Sequence, residues 1–417
     1  MPEKSEIYKI LMFAPSCFPV DDSEAIVNAK LVLAMKNKGW NVEIITFPER
    51  GSFYPSGNEF WNDIKNSSQF YYNKYRMNLP NKIWTALRSL LLTGKLIGGD
   101  KYCALSAFDV VNKLSRKIQY DFIISRSNPD HAHLAALMYH RRTKIPWIAN
   151  WNDPQPSAKF PPPSGKGPSY PMNYFYHIFY QAVAAHCSWH TFPCERLRKY
   201  MTSYLPSKVS QKSSVVPHIA LKRFCVPRIQ HDGFSIYHTG YIGPPRDVSV
   251  FLEGAKRFYQ KFGKPKNFHI KFVVDQPDIV VYAAKVIKVE NIVRIEESRP
   301  YEKMPELLAS ADVLAIIEAP LREGIFLPSK FVDYVQTGHP ILSLSPTIGT
   351  INDILSTYGG GIAVDGCSPD AVARAIGVLY SHWKAGTLDS EYGSSKLLDL
   401  YSEERVLDLY SEIFKKD

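Results

Sequence analysis

The chain reads as two α/β domains, each a parallel sheet wound on both faces by helices. Three observations predict this. Its 417 residues exceed what one hydrophobic core usually serves, and 45% hydrophobic residues suffice for two. Short apolar runs alternate with longer stretches of helical periodicity in both halves. A polar, poorly periodic segment between Val215-Val216-Pro217-His218 and Asp232 separates the halves. The expected domains are residues 1–220 and 221–395, with a C-terminal helix, 396–417, returning toward the first.

In the first half, Tyr8–Ala14, Val42–Phe47, Phe122–Ser125 and Trp147–Trp151 read as strands, and Ile26–Lys38 and His131–Arg142 as helices. In the second, strands are expected at Ser235–Thr239, His269–Val274, Val313–Ile317, Ile341–Leu344 and Gly361–Val364. Pro300 to Leu308 reads as a structural helix start leading to the strand at Val313. Two segments break the regularity. Residues 50–100 include Phe70-Tyr71-Tyr72 and a basic amphipathic piece, Ile83 to Lys95, which fits either a helix packed on its own domain or one lying on a membrane. Residues 154–171 are dense in proline and glycine and follow a strand, where open sheets bind ligands, so they read as an active-site wall or lid.

The formal charge is +10 and unevenly placed: 27 Lys and Arg against 15 Asp and Glu in residues 1–220, and 23 against 25 in the rest. A basic first half suits either a soluble surface or an anionic partner, such as a membrane, an acidic glycan or nucleic acid. The opening residues carry Glu3, Lys4, Glu6 and Lys9 and read as neither a secretion signal nor an anchor. The six cysteines form no C-x-x-C pair, which fits a reducing compartment. A cytoplasmic protein is expected, or one peripheral on the inner face of the membrane.

Candidate chemistry begins with Phe326 to Pro340, FLPSKFVDYVQTGHP, where Pro328-Ser329 opens a helix, Lys330 and Asp333 lie in its first turns and Gly338 closes it. A helix start with a lysine favours a phosphate, and Asp333 can accept from sugar hydroxyls; a nucleotide-diphosphate sugar carries all of these groups. Tyr237 to Asp247 runs from a strand through a glycine turn at Gly240 to Arg246, which can clamp a diphosphate. Glu318 and Glu323 flank Pro320 in the loop before Lys330, where a carboxylate can meet a sugar or simply be solvated. In the first half, Ser125 to His131 and Trp151-Asn152-Asp153-Pro154 follow neighbouring strands and reach one sheet edge. Asp153 is the candidate carboxylate for a substrate hydroxyl, acting by position or as a base, with Asn152 and His131 beside it; Asp-Pro is equally a turn signal. No D-x-D, H-E-x-x-H or G-x-S-x-G occurs, which leaves Arg246, Lys330, Ser329 and Gly240 as metal-free phosphate ligands.

Four segments in order resemble the GT-B glycosyltransferases, in particular the retaining family 4 group of bacterial polysaccharide and glycolipid synthesis. They are Ala14-Pro15 with Phe18-Pro19 and Ala34 to Thr46; Ile145 to Ala149 with Asn152-Asp153-Pro154; Tyr237 to Asp247; and Pro328 to Pro340. The resemblance implies two Rossmann-like domains facing across a cleft, the second holding the donor and the basic first a glycan or lipid-linked acceptor. It implies that Arg246 and Lys330 neutralise the donor diphosphate and that Asp333 holds the ribose. It puts Ile325 where the family has the first glutamate of E-x7-E, with Glu323 two positions upstream as a substitute. Asp21-Asp22-Ser23 replace the glycines of the family's first loop. The implied reaction is metal-independent sugar transfer with retention and no cofactor; with inversion, Asp153 is the base. A sugar-nucleotide epimerase on the same scaffold and a non-catalytic binder of anionic polymer are the alternatives, and no nucleic-acid motif supports the latter.

Overall fold

The computed structural model describes residues 7–17, 22–46, 59–67, 69–72, 79–162, 165 and 171–416. Their contacts divide the chain into two units, Met1–Ile219 with Val406–Asp417, and Ala220–Arg405.

The first unit is built on a seven-stranded sheet of β1 (Lys9–Phe13), β2 (Asn41–Thr46), β3 (Gln69–Tyr72), β4 (Phe122–Ser127), β5 (Trp147–Trp151), β6 (Trp189–Phe192) and β7 (Ser213–Val215). The order is β3-β2-β1-β4-β5-β6-β7 and every pairing is parallel. β4 and β5 are buried at every position, as strands covered on both faces must be. Two of their buried indoles are matched: Trp147 Nε1 donates to Ser125 Oγ at 2.7 Å and Trp151 Nε1 to His190 Nδ1 at 3.0 Å. The final helix, Glu403–Phe414, supplies Val406, Tyr410, Ile413 and Phe414 to this core. Phe414 stacks on Phe122 with ring centroids 4.1 Å apart and also meets Tyr8 and Trp40.

The second unit carries β8 (Ser235–Thr239), β9 (His269–Val274), β10 (Val293–Glu297), β11 (Val313–Ile317), β12 (Ile341–Ser345) and β13 (Gly361–Asp365), in the order β10-β9-β8-β11-β12-β13, again all parallel. Its core gathers Phe251, Leu252, Phe258, Phe272, Val372 and Ile376 from two helices and the sheet. Gly254 lets helix Val248–Lys261 approach helix Pro369–Lys384, because a Cβ there would meet the Val372 side chain at 2.6 Å. Both sheets are therefore doubly wound, as the alternation of strands and helices predicts. In each, the strand order reverses at one point, between β1 and β4 and between β8 and β11, where open α/β sheets bind ligands at the carboxyl ends of their strands.

The observed strands exceed the expected ones by β3, β6, β7 and β10. β10, VRIEE, is a half-exposed edge strand whose charges mask its pattern, and β7 has only three residues. β6 buries His190, a polar residue within WHTF. Phe47, Phe18-Pro19, Asp21 and much of the proline-rich stretch (163–164 and 166–170) lie outside the described residues. Among the described residues no helix is long and apolar enough to cross a membrane.

Candidate functional site

In the second unit, the residues after β8 and β11 converge. β8 ends in His238-Thr239, and the turn that follows needs Gly240, which sits at φ +81°. Opposite this turn stands helix Ser329–Val335, fixed by Tyr334, whose hydroxyl accepts from Thr239 N at 3.1 Å and contacts Thr239 Oγ1 at 3.2 Å. Lys330 thereby reaches over Gly240: a Cβ on the glycine would lie 3.4 Å from both Cε and Nζ of the lysine. Nζ is also 3.4 Å from His238 Nε2. His238 Nδ1 donates to the carbonyl of Ala315 at 2.9 Å, so Nε2 is the acceptor face of the ring. Burial keeps that imidazole neutral, its pKa well below the ordinary value, with the Lys330 charge adding to the effect.

Lys330 is itself pushed down to about 7, first by burial and then by the neighbouring charge of Arg246; Asp333 and Asp275 oppose the shift. Arg246 lies over the Tyr241 ring at 5.5 Å and forms no ion pair among the described residues. Asp247 caps helix Val248–Lys261 by accepting from Ser249 N at 2.8 Å, which leaves the guanidinium its own direction. Two cations thus crowd one turn at the switch point of the sheet, an arrangement that an anion relieves.

Glu318, the first residue after β11, completes the group. Burial raises its pKa to about 7, while Ser345 and Arg246 hold it back, and its Oε2 is buried without a hydrogen-bond partner. Asp333 accepts from the Tyr301 hydroxyl at 2.6 Å. Ser329 is half-buried at the start of the same helix as Lys330, and Glu323 is exposed beside Gly324, which bridges to Gly349. Ile325, which the resemblance places at the first glutamate of E-x7-E, is buried. Gly240, Arg246, Lys330 and Asp333 are therefore brought together, while Glu323 lies out in its loop. Glu318, which the sequence leaves as either a sugar contact or a solvated loop acid, joins them, and so does His238, which the sequence reading did not assign to the site. The available signal was position, since both sit at the carboxyl ends of buried strands.

In the first unit, the loops after β1, β4 and β5 build a second polar group, again at the switch point. Asn152 Nδ2 donates to both oxygens of Glu24, at 2.6 and 2.8 Å. Glu24 lies in the first turn of helix Ser23–Asn37, which Asp22 caps by accepting from Ala25 N at 2.7 Å. Burial raises Glu24 to about 7, against the pull of Arg126, whose Nε donates to Asn28 Oδ1 at 2.6 Å. Asp153 accepts from Asn128 Nδ2, and burial raises it to about 6. A relay stands behind it: the Tyr180 hydroxyl donates to Gln155 Oε1 at 2.8 Å, and Gln155 Nε2 to Asn128 Oδ1 at 2.7 Å. The charge of Asp153 adds to the rise of Glu24. Glu24 is absent from the sequence-based candidates, because it looks like an ordinary acidic residue in a helix's first turn.

His131 begins helix His131–Thr143 and is buried, with its ring close to Asp100 and Cys103. Those three offer ligand atoms within 4.8 Å of one another, the one group among the described residues with the makings of a metal site. Asp100 already caps helix Lys101–Leu114 through Tyr102 N and Cys103 N.

No protein-family model matches the sequence, and no curated protein matches it. Solved structures do match along nearly the full length. A glycosyltransferase from Rickettsia africae ESF-5 superposes with a TM-score of 0.65 at 13% identity, covering 98% of each chain. Alr3699/HepE from Anabaena, in complex with UDP and glucose, gives a TM-score of 0.67 at 12% identity over 98% of this chain and 100% of that one. A putative UDP-N-acetylglucosamine 2-epimerase from Listeria monocytogenes gives 0.59 at 12% identity, covering 99% and 98%. The chain has the fold of these proteins, two Rossmann-like domains of the GT-B type.

Proposed function

We propose that this protein is a glycosyltransferase that takes a sugar from a nucleotide-diphosphate donor. The observation that carries this reading is the Lys330 ammonium placed against the Gly240 turn beside Arg246. A bound diphosphate supplies the negative charge that this pair lacks, and it drives Lys330 back to the ammonium form. Asp333, oriented by Tyr301, holds the ribose. Glu318 faces the same charges from β11 and is the group nearest in role to the family's missing first glutamate.

In the reaction, the bond between the anomeric carbon and the phosphate oxygen breaks, and the acceptor oxygen bonds to that carbon. Charge develops on the departing diphosphate, where Arg246 and Lys330 contribute about 3 kcal/mol each to the transition state, with no metal required. With retention, the departing phosphate oxygen takes the acceptor's proton on the same face. With inversion, the Asp153 carboxylate takes it, a role suited to a group poised at about 6. In either course the first domain holds a glycan or lipid-linked acceptor, with Asn152 and Glu24 as its polar wall.

The test is calorimetric titration of UDP, GDP, ADP and their sugar conjugates, followed by turnover with the conjugate that binds. Absence of binding by every nucleotide sugar rejects the proposal. A sugar-nucleotide epimerase is the second reading, favoured by the match to the Listeria protein; isomerisation of the donor without any acceptor would establish it instead.

A further inference from the structure

Helix Leu79–Thr93 carries its polarity reversed. Ser89 and Thr93 are buried, with the Thr93 hydroxyl donating to the Ser89 carbonyl at 2.7 Å, and Thr85, four residues earlier, lies on the same side. Ile83, Trp84, Leu87 and Leu91 are 64, 62, 50 and 78% exposed. At 3.6 residues per turn, Trp84, Leu87 and Leu91 follow one another along one face, and Ile83 widens it to a stripe. Leu96, just past the helix, extends it at 55% exposure. The helix is anchored to its own domain elsewhere, through Arg88, which is bidentate on Asp109 of helix Lys101–Leu114. A helix that packs only on its own domain buries its large side chains, whereas this one buries small hydroxyls and leaves a tryptophan and three aliphatic residues in water.

Charge indicates what covers the stripe. Between Asp63 and Asp100 the sequence has six cations, Lys65, Lys74, Arg76, Lys82, Arg88 and Lys95, and no acidic residue. Lys82 and Lys95 are exposed at the two ends of the stripe. An apolar face containing tryptophan, on a segment whose own charged residues are all positive, has the chemistry of an interfacial helix on anionic lipid. We propose that this face docks on an anionic bilayer surface, with Trp84, Leu87 and Leu91 entering the boundary between headgroups and acyl chains and Lys82 and Lys95 meeting lipid phosphates. This docking is independent of the sugar-transfer reading, and its test reads no turnover.

The test is sedimentation of the full-length protein with vesicles of phosphatidylcholine alone or of phosphatidylcholine mixed with phosphatidylglycerol. The mixed vesicles should pellet the protein and the neutral ones should not, and added salt should release it. Leu87→Glu/Leu91→Glu should abolish pelleting with an unchanged melting curve, since both positions are exposed. Lys82→Ala and Lys95→Ala should each lower partitioning about fivefold. Failure of the native protein to pellet with anionic vesicles at low salt overturns the proposal, as does equal pelleting with neutral vesicles or by the glutamate variant. A native dimer in sedimentation velocity that the glutamate variant makes monomeric, without lipid binding, overturns it as well and assigns the stripe to a second copy of the chain.

Discussion

The ammonium of Lys330 lies 3.4 Å from Nε2 of His238, an imidazole that burial holds neutral and that Ala315 orients through Nδ1. The imidazole offers the lysine a neutral acceptor, but burial, and after it the charge of Arg246, leaves the lysine ready to lose its proton in the unliganded protein.

Donor binding is therefore expected to take up a proton. With Lys330 at about 7 in the free protein and restored toward its ordinary value by a diphosphate, affinity should fall as pH rises through 7. A sugar nucleotide has no diphosphate proton to exchange in this range, so the slope belongs to the protein. Calorimetry at pH 8 in buffers of different ionisation enthalpy measures the uptake, and Lys330→Met should abolish it while weakening binding by about 2 kcal/mol.

Lys330→Met should also stabilise the unliganded protein. Unfolding restores the lysine's ordinary pKa of 10.5, so the native group disfavours folding, fully below about pH 7 and progressively less as pH rises toward 10.5. A higher melting temperature at pH 7 together with weaker donor binding is the expected pair of results. A lower melting temperature contradicts the assignment.

Three raised carboxyls at the candidate sites give the opposite pH trend. Glu24 and Glu318 at about 7 and Asp153 at about 6 keep protons in the native state that the unfolded chain has released at its ordinary values near 4. Their contribution is fully present below about pH 4 and declines as pH rises through 6 to 7. Denaturation followed from pH 5 to 8 should show that decline. Glu24→Gln should flatten it, since the amide has no proton to lose.

Asp153→Asn separates chemistry from binding. The amide cannot accept a proton, so turnover should fall by a factor of about 100 to 10,000 if Asp153 is the base, with donor affinity unchanged. Glu24→Gln should reduce acceptor use while leaving donor affinity intact. A loss of nucleotide binding in either variant would contradict the division of labour between the two domains.

Gly240→Ala should cost about 1 to 2 kcal/mol of stability through its positive φ. It should also loosen donor binding, because the new methyl would occupy the space beside Lys330 Nζ. Thermal shift with and without the nucleotide sugar reads both effects in one experiment.

The doubly wound architecture was legible because buried parallel strands such as VLAII and the ILMF of β1 are continuous apolar runs that no surface helix imitates. Strands with mixed surroundings hid themselves: β10 alternates with charge at an edge, and β6 buries a histidine whose partners are Trp151 and Cys187. Lys330, Arg246 and Gly240 could be found because each sits in a local strand-to-turn or turn-to-helix signature. Glu24 could not, since what distinguishes it from any exposed glutamate is Asn152, 128 residues away in sequence. Glu318 was noticed as a loop acid, but only the packing of β11 against β8 and β12 shows that its carboxyl is buried rather than solvated. Long-range burial decides a carboxylate's chemistry, and periodicity does not report it.

The stacking of Phe414 on Phe122, with Tyr8 and Trp40 around it, sets an order of events during synthesis. The first seven strands leave the ribosome long before the residues that finish their core, because Val406, Tyr410, Ile413 and Phe414 follow the whole second unit in the chain. The amino-terminal domain therefore waits, one aromatic flank uncovered, until the whole carboxyl-terminal domain has been made. Loss of residues 406–414 would therefore damage the domain that was begun first.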